Sequence, residues 1–104
     1  MLASDFDLLV EKIQNRCKRV LTKKATQYAG DEDRLENFVR AAALVDGTPA
    51  EACFYMLNKH LVSIAMLLEK PECETPKKVW DEKITDSLNY LTLFEACLID
   101  MGVE

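Results

Sequence analysis

The segment from Thr48 to Leu68 constrains the fold more than any other stretch of this chain. Thr48-Pro49-Ala50-Glu51 reads as a capping box, in which threonine and glutamate each satisfy a backbone amide at the start of a helix. Proline stands at the first helical position, where its missing N–H costs nothing. Ala52, Cys53, Met56, Leu57, Leu61, Ile64, Leu67 and Leu68 then spread apolar surface over much of the circumference. A helix so widely apolar belongs at the centre of a bundle, so the remaining chain must supply helices to cover it.

The flanking segments have the required spacing. Phe6, Leu9, Val10, Ile13, Cys17, Val20 and Leu21 predict a first helix, with Asp5 as its N-cap and an end near Tyr28. Ala29-Gly30-Asp31 would close it with a C-cap glycine. A second helix reads from about Glu32 to Val45, stopped by Asp46-Gly47. Lys70 to Lys78, with Pro71 and Pro76, reads as a linker. Trp80 and Asp81 open a fourth helix that runs through Ile84, Leu88, Leu91, Phe94 and Leu98 to about Met101. Only three glycines and three prolines interrupt 104 residues, which favours long helices over strands. The expected architecture is one all-α domain over residues 1–104, a four-helix bundle. A chain this short buries a limited share of its surface, so a dimer or higher oligomer is expected.

Charge and cysteine usage exclude several classes. A formal net charge of −5 argues against general nucleic-acid binding, which needs a basic surface to displace counterions. Cys17, Cys53, Cys73 and Cys97 include no C-x-x-C pair, and the single histidine, His60, stands isolated from them, so the spacing fits neither a zinc finger nor a redox motif. The strongly apolar stretch Leu61 to Leu68 is too short to span a membrane. No basic segment followed by an apolar run opens the sequence, so no secretory signal is expected. These features predict a cytoplasmic protein with no membrane partner.

Function in a bundle shows in polar residues placed where the pattern wants apolar ones. Three groups qualify: Asn58-Lys59-His60 with Ser63; Asp86, Asn89 and Tyr90; and the segment Lys24 to Asn37, with Tyr28, Asp31, Asp33 and Arg34. Lys59, Arg34 and Lys24 have the charge to neutralise a phosphate, while Ser63 and Asn89 supply hydrogen bonds. Tyr28, Phe38 or Trp80 has the flat face to cover a base. The plainer alternatives are a structural Lys59–Asp86 ion pair, a His60 satisfied within the fold, and a solvated basic face of Lys12, Arg16, Arg19 and Lys23.

The order Lys24-x-x-x-Tyr28, Asp33-Arg34-Leu35-x-Asn37-Phe38, Lys59-His60-x-x-Ser63 and Lys83-Ile84-x-Asp86-x-x-Asn89-Tyr90-Leu91 resembles a group of small phage and prophage proteins. They stand with or near the nucleotide-modification-associated domain and the MazG-like, all-α NTP pyrophosphohydrolases. The resemblance covers about Val10 to Leu98. It implies a helical core paired with a second copy, and a nucleotide site between helices. In the catalytic members, E-x-x-E and E-x-x-D motifs on successive helices hold magnesium against a triphosphate. This chain has Lys59-His60-x-x-Ser63 at the first motif and keeps only Asp86 at the second, so its magnesium cluster is incomplete.

Three functions follow as expectations. The first is a phage-type MazG-like protein that binds a nucleotide or nucleoside phosphate through Lys59, Ser63, Asp86 and Asn89, with Arg34 and Tyr28 closing the pocket. The second is a small acidic phage protein that docks onto a host factor in the host cytoplasm. The third is a nucleoside phosphate pyrophosphohydrolase using magnesium, with His60 or Asp86 as base.

Overall fold

A computed structural model describes residues 1–24 and 33–104. Among the described residues all regular structure is helical: α1 (Ala3–Lys24), α2 (Glu36–Val45), α3 (Pro49–Leu67), a short 3-10 turn at Glu72–Glu74, and α4 (Lys77–Asp100). In space α3 packs between α2 and α4, while α1 lies chiefly on α4. The expected helical bundle is present, with α3 and α4 as its inner pair.

The helix ends show which local signals won. Both capping-box bonds form at α3: the Glu51 amide donates to Thr48 Oγ1 (3.1 Å), and the Thr48 amide donates to Glu51 Oε1 (2.9 Å). Asp46 takes the left-handed conformation that ends α2, at φ 54°, and the Gly47 amide returns to the Ala42 carbonyl at 3.0 Å. Aspartate tolerates this region better than other side-chain-bearing residues apart from asparagine.

Three boundaries differ from the sequence expectation. α1 begins two residues before Asp5, which therefore lies in the first turn rather than at the cap. Its carboxylate still meets the positive end of the helix dipole. α2 begins at Glu36 because the Asp33 carboxylate accepts the Leu35 amide (2.9 Å) and holds a turn there, leaving Arg34 outside the helix. α4 begins at Lys77, directly after Pro76, and the Trp80 indole donates to the Glu72 carbonyl at 3.1 Å. The expected end of the first helix at Tyr28, with its Gly30 cap, lies outside the described residues.

The core gathers Phe38, Ala50, Cys53 and Cys97, with Leu35, Met56, Tyr90, Leu93, Phe94 and Leu98 packed against it. Cys53 and Cys97 are the most deeply buried side chains, at 0% and 1% exposure, on the facing helices α3 and α4. Burial pushes the Cys53 thiol up to about 12, with the neighbouring Cys97 adding to the shift. Burial also raises Cys97, and all four cysteines are free. Thiolate is the reactive form, so both core thiols should be inert in the native state. Titration with Ellman's reagent at pH 8 is expected to modify exposed Cys73 first and half-buried Cys17 more slowly. Cys53 and Cys97 should react only in denaturant; rapid modification of all four in native protein would contradict this packing.

α1 is held to α4 by polar as well as apolar contacts. Arg16 Nε donates to Thr85 Oγ1 (2.6 Å), and its Nη1 lies 3.6 Å from Asp81. Arg16 therefore leaves the expected solvated basic face, because the α1–α4 seam places a buried hydroxyl and a carboxylate within its reach. The hydrogen bond from Lys77 holds the Asp81 carboxyl below its ordinary value; partial burial opposes the shift and Arg16 reinforces it. Of the first helix's apolar stripe, Leu9, Val10, Ile13, Cys17, Val20 and Leu21 are only half-buried, and Phe6 is exposed.

Candidate functional site

The phase of α3 decides which of its polar residues faces inward. Ala50, Ala52, Cys53 and Leu57 are the buried residues of α3; at 100° per residue His60 continues the line of Ala50, Cys53 and Leu57 and is half-buried, whereas Lys59, two turns beyond Ala52, is exposed. The His60 ring lies against Tyr90 of α4, with centroids 4.9 Å apart and planes at 31°. Its Nδ1 is 3.9 Å from the Asp86 carboxylate. Tyr90 also meets Phe38 in an edge-to-face contact, at 6.4 Å and 75°. Thus His60, rather than Lys59, approaches Asp86.

Beside this stack is a cleft of about 330 Å³ that joins four segments of the chain. Its apolar wall comprises Leu21 of α1, Phe38 of α2, Met56 of α3, and Tyr90 and Leu93 of α4. Its polar rim comprises Arg34, Asn37, Asp86 and Asn89. Small-molecule sites typically occupy clefts of about 300–1,000 Å³ with mostly apolar walls and a few polar groups. This cleft meets the lower bound and has that lining.

Asn89 is the most buried polar residue of the cleft, with 5% of its surface exposed. Its Nδ2 donates to the Cys17 carbonyl of α1 at 3.3 Å, while Oδ1 is buried with no partner. A buried acceptor left unmade costs about 1–3 kcal/mol. The other two buried polar side chains of α4 are satisfied: Thr85 by Arg16, and Ser87 by donating to the Lys83 carbonyl at 2.8 Å.

The residues expected from sequence are therefore divided. Arg34, Asp86 and Asn89 come together at the cleft. Lys59 is exposed on α3 and Ser63 is half-buried, and neither lines the cleft. Tyr28 lies outside the described residues. Asn37, Met56 and Leu93 were not singled out as ligand contacts, although Asn37 lay within a motif; helix phase could have placed Met56 and Leu93 beside the core, but not at a cleft. Among the described residues no group of three or more His, Cys, Asp or Glu is placed to hold a metal ion. The cleft's single carboxylate does not fit the magnesium cluster implied by the MazG-like resemblance. No described helix is long and apolar enough to cross a membrane. Comparison with protein-family models, curated proteins and solved structures finds no match.

Proposed function

We propose that this chain is a MazG-like helical protein that binds a nucleotide or nucleoside phosphate in the cleft between α1, α2, α3 and α4, and that it works as a cytoplasmic homodimer. The convergence of Arg34, Asp86 and Asn89 from distant parts of the sequence, beside an aromatic wall, carries the reading. Arg34 supplies a planar, permanently charged donor suited to a phosphate. Phe38, Met56 and Tyr90 supply apolar area for a base.

A thermal-shift screen against nucleoside mono-, di- and triphosphates, with and without magnesium, tests the proposal. A ligand present at 100 times its Kd adds about 2.7 kcal/mol of stability. A magnesium-independent rise in melting temperature is expected. A response confined to samples containing magnesium would favour the hydrolase instead, and no response to any nucleotide would sink the reading.

The homodimer is supported by surface area. A folded monomer of 11.8 kDa exposes about 5,900 Å² by the usual size scaling, whereas this chain exposes 7780 Å². The difference, roughly 1,900 Å², exceeds the ~800 Å² that each partner hides in an interface of standard size. The apolar groove between α1 and α4, lined by Ile13, Cys17, Leu21, Leu88 and Leu91, is open to receive a second copy. Phe54, Leu61 and Val62 of α3 are also about half exposed. Light scattering should give twice the chain mass, and Leu91→Glu should halve that value. A wild-type monomer at all concentrations would reassign these faces to a different protein partner.

A further inference from the structure

The apolar groove between α1 and α4 carries an inference about how the second copy seats itself, and it rests on the homodimer reading above. Its two walls bear opposite charges. Among the described residues that line it, Lys18 on α1 is the cation and Glu95 on α4 the anion. Both side chains are exposed, and neither has an ion-pair partner among the described residues. The threonine hydroxyls of the rim are already engaged on their own helices. Thr22 donates to the Lys18 carbonyl at 2.9 Å, and Thr92 donates to the Leu88 carbonyl at 3.1 Å. Charge is therefore the strongest polar signal that the groove offers a partner. A groove with one basic and one acidic wall is complementary to itself, which favours a second copy over a partner of a single sign. The monomer's surface excess is ample for such a contact.

A second copy closes on the groove about a two-fold axis lying in the plane of contact, so a residue that meets another is answered by the reverse pair. That axis has two simple settings. Across the groove, it sets α1 against the partner's α1, so Lys18 approaches its own counterpart and Glu95 approaches its own. Along the groove, it sets α1 against the partner's α4, and the Lys18–Glu95 contact forms twice. Like charges brought together at an interface oppose binding, while opposite ones steer the encounter and fix the register. We propose that the homodimer adopts the second setting, with Lys18 of each copy paired to Glu95 of the other over the shared apolar surface of Ile13, Leu21, Leu88 and Leu91.

Sedimentation velocity over a protein dilution series tests the inference with Lys18→Glu, Glu95→Lys, the double variant and a mixture, each checked for folding by circular dichroism. Either single variant turns both contacts into like-charge ones, and its dimer Kd is expected to rise at least about 100-fold. The double variant restores both pairs with the signs exchanged and should dimerise as the parent does. An equal mixture of the two single variants should also recover dimer, because one groove is then wholly acidic and the other wholly basic. Single variants as dimeric as the parent overturn this setting; with Leu91→Glu monomeric in the same series, the homodimer reading stands without it. Loss of dimer that neither the double variant nor the mixture recovers overturns it as well. A parent that is monomeric at every concentration removes the homodimer reading and this inference together.

Discussion

Phe38→Ala is expected to melt at least about 12 °C below the parent, or not to fold at all. Phe38 is 5% exposed, meets Tyr90 edge-on, and is the largest buried side chain in the core. Truncating a buried phenylalanine costs about 3–5 kcal/mol, from lost transfer energy and the cavity left behind. Chains of this size are stable by only about 5–15 kcal/mol, and each kcal/mol shifts the melting temperature by roughly 4–8 °C. Phe38 is also where α2 meets α4, so its loss loosens one wall of the cleft. Leu44→Ala, on the same helix but 87% exposed, is the internal control and should change stability by less than about 0.5 kcal/mol. Circular-dichroism melts of the two variants decide the matter. Similar melting temperatures would mean that α2 does not dock as described.

Arg34→Ala is expected to weaken nucleoside-phosphate binding by roughly 10- to 100-fold while leaving the melting temperature of the free protein nearly unchanged. The factor follows from losing charge-assisted hydrogen bonds worth about 1.5–3 kcal/mol. Arg34 sits half-buried in the turn held by Asp33, so its removal opens no core cavity. Lys59→Ala is the informative comparison, because Lys59 is an exposed cation on α3 that does not line the cleft. It should bind as the parent does. Equal losses in the two variants would point to a diffuse charge effect rather than a site, and raising the salt concentration would then abolish the difference from wild type.

These two experiments examine different levels of organisation. Phe38 reports on packing, which the sequence announced through the spacing of Leu35, Phe38, Val39 and Ala42. Arg34 reports on a convergence that spacing cannot announce. Between them lies Asn89, a polar residue on a leucine-rich helix. Its position marked it for attention, but its bonding could not be known until α1 was placed. The Cys17 carbonyl that engages its amide is seventy-two residues away.

The sequence determined the elements that depend on near neighbours. The capping box at Thr48, the stop at Asp46 and the apolar periods of α1 to α4 are local because hydrogen bonds and side-chain spacing within a few turns create them. The sequence also identified Asp86, Asn89 and Arg34 as polar residues in places that called for explanation. Only the tertiary structure decided that His60 faces Asp86 while Lys59 faces away, that Arg16 turns from solvent to Thr85, and that Asn89 keeps an unpaired oxygen. The reason is geometric. A helix fixes the relative directions of its own side chains to within a rotation, and only packing against a second helix sets that rotation.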